Sequence, residues 1–131
     1  MPYETDFRPT CTLETYNTRW AHLVADGSDD TQVALAGRML TPGRFSGKKL
    51  AFFDIWECGH KVQIIMYAKH YDGDDLMYKQ ALEHLHNGNI LGCKGYPHRT
   101  LRGELSLMCT SLRLLVPCLH EIHVDLKKTT F

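Results

Sequence analysis

The sequence has no excess charge of either sign, no long apolar run and no Cys-x-x-Cys pair. Basic and acidic residues both number 15 in a chain of 131, which argues against a non-specific binder of nucleic acid. The longest apolar run covers residues 64–68, whereas a membrane helix needs about 20 such residues. Residues 1–4 have neither the basic nor the apolar region of a secretion signal. We therefore expect a cytoplasmic protein without a membrane partner.

The cysteines are widely scattered, at positions 11, 58, 93, 109 and 118. An odd number of separated thiols predicts reduced cysteines that act as small core side chains. A zinc site would use Cys118, His120 and His123 with a fourth ligand from elsewhere. A structural zinc site usually has two well-spaced ligand pairs, and the sequence offers only this loose group. We therefore predict no metal site.

Apolar residues make up 44% of the chain and charged residues 23%, which is typical of one globular domain. Hydrophobic periodicity predicts a helix, three strands, a second helix and two more strands. The helices cover residues 12–24 and 74–85, and the strands cover residues 32–40, 50–56, 61–67, 89–100 and 104–116. This order predicts an all-β protein with helices, namely the five-stranded Greek-key barrel of the OB-fold, with a helix between strands 3 and 4.

Single residues predict the ends of the second helix and the irregularities of the fourth strand. Asp74 is the predicted N-cap of that helix, and residues 87–88, Asn-Gly, are its predicted C-terminal signal. Gly92 and Gly95 predict bulges or bends in the strand that follows. The apolar stripe predicted to face the core comprises Leu76, Met77, Ala81, Leu82 and Leu85.

Charges are segregated along the chain although their sum is zero. Residues 1–30 carry a net charge of −4, residues 31–49 carry +4, residues 72–92 carry −3 and residues 93–116 carry +3. An OB-fold binds ligands on strands 2 and 3, between the loop that joins strands 1 and 2 and the loop that joins strands 4 and 5. Both basic blocks flank that face, and the acidic blocks fall on helices away from it. A neutral protein is therefore expected to present a basic binding face.

Adjacent phenylalanines, Phe52 and Phe53, lie in the second predicted strand. The pleat sends their rings to opposite sides, so one ring can fill the barrel while the other stacks on a base. Gln63 offers a donor and acceptors to a base edge, and Glu104 is the one acid in its basic block. Other interpretations remain open: two core phenylalanines, a solvated Gln63, and a Glu104 that serves solubility or pairs with Arg102 or Arg44.

Several segments in the same order resemble the anticodon-binding OB domain of class IIb aminoacyl-tRNA synthetases. They are residues 33–38, 47–54, 61–64, 88–95 and 103–107. Residues 3–7 and 114–120 are most similar to lysyl-tRNA synthetases of the eukaryotic cytosolic type. The resemblance covers about residues 3–120, and it separates residues 1–24, an N-terminal extension and helix, from an OB domain at 25–120. It implies that residues 121–131 begin a linker toward an absent catalytic domain.

The resemblance also implies roles for individual residues. Phe52 would stack on the central uridine of the anticodon, Gln63 and Glu104 would hydrogen-bond its edge, and Arg44 would contact the anticodon loop. Aspartyl and asparaginyl enzymes read the same uridine with a similar trio, so they remain an alternative. The other candidate RNA-binding residues are basic: Arg38, Lys48, Lys49, Arg99 and Arg102.

The implied partner is the anticodon stem-loop of tRNA-Lys, with no DNA partner, and the implied parent enzyme is a homodimeric, ATP-dependent lysine–tRNA ligase. No class II catalytic signature occurs in the chain, so we predict no catalytic residue and no enzymatic activity for the chain alone. ATP and Mg²⁺ would belong to the catalytic domain, and this domain would need no cofactor. The alternative function from another class is a protein-interaction or dimerisation OB domain.

Overall fold

A computed structural model describes residues 6–118 of the chain. The helices are α1 (Leu13–Arg19) and α2 (Asp75–Leu82), and a 3-10 turn covers Ala68–His70. The strands are β1 (Val33–Arg38), β2 (Arg44–Ser46), β3 (Leu50–Glu57), β4 (His60–Tyr67), β5 (Ile90–Arg99) and β6 (Leu105–Val116). No helix among the described residues is both long and apolar enough to cross a bilayer.

The strands close into a barrel, which confirms the predicted OB-fold. Their order is β1-β5-β6-β4-β3-β2, and β1 also pairs with β3 at Arg38 and Trp56. The β4–β6 pair is parallel, and the other pairs are antiparallel. The sequence analysis missed β2, which has three exposed residues and therefore no alternation of buried and exposed positions. The second and third predicted strands correspond to β3 and β4.

The barrel interior is filled by side chains from every second position of the long strands, as the pleat requires. Phe53, Ile55, Ile64 and Leu107 are fully buried there. Alternation along β3 therefore resolves the two adjacent phenylalanines, because Phe53 belongs to the core and Phe52 is only half-buried.

Helix α1 packs on the barrel and is shorter than the predicted 12–24. The side chain of Thr12 caps it by accepting a hydrogen bond from the amide of Thr15 at 3.1 Å. Tyr16 is fully buried, and its hydroxyl donates to the carbonyl oxygen of Ser106 at 2.6 Å. Burial raises the pKa of Tyr16, so this donor keeps its proton. The helix ends at Arg19, and hydrogen-bonded turns, such as the one closed by the Leu23 amide on the Trp20 carbonyl oxygen at 3.1 Å, continue the chain to Leu23.

The predicted apolar stripe of α2 is wrong at its start. Leu76 and Met77 are 61% and 51% exposed, whereas Tyr78 and Ala81 are buried. The hydroxyl of Tyr78 donates to the carbonyl oxygen of Met66 at 2.8 Å, and burial raises the pKa of Tyr78 to about 12. An aromatic ring with a buried polar partner thus orients the helix, which hydrophobicity alone did not indicate.

The predicted start of α2 is confirmed and its predicted end is wrong. The Asp74 carboxylate accepts a hydrogen bond from the amide of Met77 at 2.9 Å. The helix stops at Leu82, with Glu83 as its C-cap, and Gly88 instead occupies a later turn with φ of +94°. Backbone hydrogen bonds between residues close in sequence form a series of turns over residues 83–89, which connects the helix to β5.

Only one of the two predicted glycine irregularities occurs in β5. The register with β6 shifts between Lys94 and Gly95, which confirms the bulge at Gly95. Gly92 instead continues regular pairing with β1 and β6. A side chain there would collide with the ring of Phe7, whose nearest atom lies 2.8 Å from the position of a Cβ.

The cysteines among the described residues are free thiols, but only some of them are core side chains as predicted. Cys93 and Cys109 are buried, and burial raises the pKa of Cys93. Cys58 departs from the prediction because it is exposed in the turn between β3 and β4, where its φ is +51°. Of the alternative zinc ligands, Cys118 is half-buried, and His120 and His123 lie outside the described residues.

Candidate nucleic-acid interface

An open groove of about 600 Å³ lies on the outer face of the barrel, where β3 and β4 meet the loop between β5 and β6. One wall carries Arg44 from β2 and Phe52 from β3, and Gln63 from β4 lies beside them. The other wall is the β5–β6 loop, residues 100–104. This is the face, framed by these two loops, on which the OB-fold binds its ligands.

Strand register explains why Phe52 lies in the groove. Phe52 is directly opposite Arg44 on β2 and Ile65 on β4, and Ile65 is opposite Met108 on β6. Opposite residues of paired strands share a face, so these side chains form one row across the outer surface. Ile65 and Met108, which belong to this row, are buried. The Phe52 ring is half-buried and lines the groove.

A second, polar row lies next to Phe52. Asp54 is opposite Gln63, and Gln63 is opposite Ser106. The guanidinium of Arg44 lies 3.8 Å from the Asp54 carboxylate and donates to Gln63 Oε1 at 3.1 Å. Gln63 Nε2 then donates to the Ser106 hydroxyl at 2.9 Å, which donates to the Glu104 carbonyl oxygen at 3.2 Å. The polar groups of four strands are thus linked across the groove.

The β5–β6 loop is a short turn, closed by hydrogen bonds between Thr100 and Glu104, that presents Glu104. The Thr100 amide donates to the Glu104 carbonyl oxygen at 3.0 Å, and the Glu104 amide donates to the Thr100 hydroxyl at 3.0 Å. Gly103 turns the chain with φ of +96°. The Glu104 side chain is exposed, and within residues 6–118 it makes no ion pair with Arg44 or Arg102. Its carboxylate is therefore a free acceptor at the groove wall.

The structure brings five of the nine predicted site residues together at this groove: Arg44, Phe52, Gln63, Arg102 and Glu104. Arg99 instead donates to backbone carbonyl oxygens of Leu23, Gly103 and Ala21, so it joins the β5–β6 loop to the segment after α1. Arg38 donates to the Gly88 carbonyl oxygen at 2.7 Å. The remaining two, Lys48 and Lys49, are exposed in the turn before β3 and do not line the groove.

Sequence reasoning missed Leu101, which lines the groove, and Asp54 and Ser106, which join its polar row. Asp54 could have been found, because it lies two positions after Phe52 and must share its face. Ser106 needed the parallel β4–β6 register, which no local pattern reveals. Leu101 is 78% exposed and forms an apolar rim of the groove opposite Phe52. No sequence pattern distinguishes it from an ordinary loop residue.

The groove combines an accessible aromatic ring, an amide, a carboxylate and two arginines. Such a set can hold a flat heterocycle by stacking while donors and acceptors contact its edge, and the arginines can attract a phosphate. Among residues 6–118, no group of three His, Cys, Asp or Glu side chains could hold a metal ion.

Comparison with known proteins found relatives over nearly the whole chain, although no family model matches. The lysine–tRNA ligase cla4 of Cladosporium cladosporioides is 37% identical over 128 residues, which cover 92% of this chain and 21% of that protein. The mitochondrial lysine–tRNA ligase of Schizosaccharomyces pombe is 39% identical over 87 residues, or 63% of this chain and 16% of the relative. A lysine–tRNA ligase of Salmonella paratyphi B is 32% identical over 124 residues, or 93% and 24%. The chain thus spans less than a quarter of these curated relatives.

Proposed function

Since this chain is a homologue of the lysine–tRNA ligases over most of its length, we propose that it is a domain that binds the anticodon of tRNA-Lys and selects the central uridine. The observation that carries the proposal is one groove in which the accessible ring of Phe52 lies beside Gln63 and Glu104. The OB-fold and the homologues support the proposal.

In the proposed complex, the central base leaves the anticodon stack and lies on Phe52. Stacking of a base on an aromatic side chain contributes about 1–3 kcal/mol and does not depend on base identity. Selectivity therefore needs the polar groups. Uracil presents a carbonyl oxygen next to an N–H, and the groove offers the remaining Nε2 hydrogen of Gln63 and the Glu104 carboxylate. A donor beside an acceptor matches that edge.

Two arginines at the groove, Arg44 and Arg102, supply the positive charge for the RNA backbone. Phosphate contacts of this kind position an RNA but carry no sequence information. In this proposal ATP and Mg²⁺ serve a catalytic domain outside the matched segment, and the homodimer is a property of the parent ligase. The chain alone binds RNA and catalyses nothing.

Titration of the chain with anticodon stem-loops that differ only in the middle base tests the proposal. We expect the uridine stem-loop to bind about tenfold or more tightly than the cytidine and adenosine versions, because neither cytosine nor adenine presents a carbonyl oxygen beside a ring N–H. A shape-driven or purely electrostatic binder would not distinguish the four. Equal affinity for all of them contradicts the proposal, and self-association without RNA binding would favour a dimerisation domain.

Glu104 provides a second test, because its carboxylate is the proposed acceptor for the base N–H. Glu104→Gln removes the negative charge, which by itself strengthens attraction to phosphate, but it places a donor-bearing amide at the acceptor position. We expect uridine stem-loop affinity to fall about fivefold to tenfold, with an unchanged thermal melt, in a fluorescence titration. A general gain in affinity for every stem-loop would show that Glu104 acts through charge alone.

A further inference from the structure

We propose that Asp54 is a positioning residue for base selection: it holds Arg44, and Arg44 fixes the direction of the Gln63 side-chain amide. The inference rests on the proposed function of the groove. It concerns an acid that does not line the groove surface and that the sequence analysis did not single out.

Burial makes Asp54 dependent on Arg44. The Asp54 side chain is 12% exposed, whereas that of Arg44 is 53% exposed. A carboxylate removed from water needs a partner of opposite charge, and Arg44 makes the one ion pair of Asp54 within residues 6–118. Arg44 belongs to the three-residue strand β2 at the edge of the sheet, where a long side chain would otherwise sample many positions. The buried acid therefore confines the guanidinium above β3.

Only one orientation of the Gln63 amide satisfies both of its neighbours. Arg44 can only donate, so it must face the amide oxygen. On the other side the Ser106 hydroxyl already donates to the Glu104 carbonyl oxygen and therefore accepts from the amide nitrogen. A flipped amide would set two donors against each other at Arg44 and would break the hydrogen bond that Gln63 Nε2 donates to the Ser106 hydroxyl.

The fixed amide decides which hydrogen-bonding pattern the groove presents. Gln63 Nε2 uses one hydrogen on Ser106, and its second hydrogen remains for a base. With a flipped amide, the groove would present the Gln63 oxygen and the Glu104 carboxylate, two acceptors, which no longer matches the carbonyl and N–H of uracil. Asp54 thus contributes to specificity without touching the base.

Asp54→Asn tests the inference through the ratio of affinities for uridine and cytidine stem-loops. We expect this ratio to fall about tenfold relative to the unmodified chain, because the neutral amide does not hold the guanidinium and the Gln63 amide is free to turn. Asp54→Glu, which keeps the charge, should restore part of the ratio. Charge alone predicts an unchanged ratio, since removal of an acid raises affinity for every stem-loop alike.

Asp72→Asn is the matched control, because Asp72 is exposed outside the groove and its loss changes the net charge equally. It should leave the ratio unchanged. Arg44→Ala interrupts the same contacts between Asp54 and Gln63 at an exposed position. It therefore tests the positioning role even when Asp54→Asn does not fold. The Arg44→Ala and Asp54→Asn losses should be non-additive in the double variant.

The outcomes separate this inference from the proposed function. If the unmodified chain does not discriminate among the bases, the proposed function fails. If it discriminates and both Asp54→Asn and Arg44→Ala keep its ratio, only the positioning role is overturned. A uniform loss of affinity that follows a lowered thermal melt would likewise overturn it, because a merely structural acid affects all stem-loops equally.

Discussion

Phe52→Ala is expected to weaken binding of the uridine stem-loop by about tenfold to a hundredfold, because it removes the stacking surface of the groove. Phe52 is only half-buried, so its loss opens the groove without leaving a cavity in the core. We therefore expect the thermal unfolding curve to change little. Fluorescence titration against the same stem-loop, with a melt of each variant, measures both effects.

The neighbouring residue is the matched control for this prediction. Phe53→Ala removes a fully buried ring from the barrel interior and should lower the free energy of unfolding by about 3–5 kcal/mol. The two variants remove the same side chain from adjacent positions and differ only in the face of β3 that they alter. If Phe52→Ala binds RNA normally, or if it destabilises the chain as much as Phe53→Ala, the groove is not a stacking site.

Gly95→Ala is expected to destabilise the barrel by about 3–5 kcal/mol, at the upper end of single-residue effects. A Cβ at this position would collide with the carbonyl oxygen of Met108 and would lie 3.0 Å from the Cα of Cys109. Both are backbone atoms of β6, so no side-chain rotation relieves the collision. The two strands would have to separate at the bulge, where the register shifts between Lys94 and Gly95. Urea unfolding of the unmodified protein and of the Gly95→Ala variant measures the difference in the free energy of unfolding.

Gly43→Ala is the control for Gly95→Ala. Its Cβ would have ordinary contacts, the nearest at 3.6 Å, and Gly43 has no positive φ. We expect a change in the free energy of unfolding within about 0.5 kcal/mol. A Gly95→Ala variant with the same stability as the Gly43→Ala variant would contradict the close approach of β5 and β6. Since Met108 belongs to the same row of side chains as Phe52, Gly95→Ala should weaken RNA binding as well.

The position of the groove could be predicted because it depends on local patterns. The two-residue period of a strand places Phe52 and Phe53 on opposite faces whatever the strand pairs with. Glu104 follows the Gly103 turn, and Gln63 lies at an outward position of β4, both also readable along the chain. The predicted apolar stripe of α2 was wrong because tertiary contacts decided which face of the helix is buried. The barrel accepts the hydroxyl of Tyr78, and its contact outweighs the greater hydrophobicity of Leu76 and Met77.

The sequence by itself determined the barrel, the face that carries the groove and the ring that points into it, because each follows from side-chain alternation and turn chemistry. Only the tertiary structure decided which arginines reach the groove and which, like Arg99, hold backbone carbonyls. It also decided that Arg44, Asp54 and Gln63 form one directed chain. Periodicity specifies a face, but the partner of a polar group depends on strand register and on edge strands such as β2, which join residues far apart in the chain.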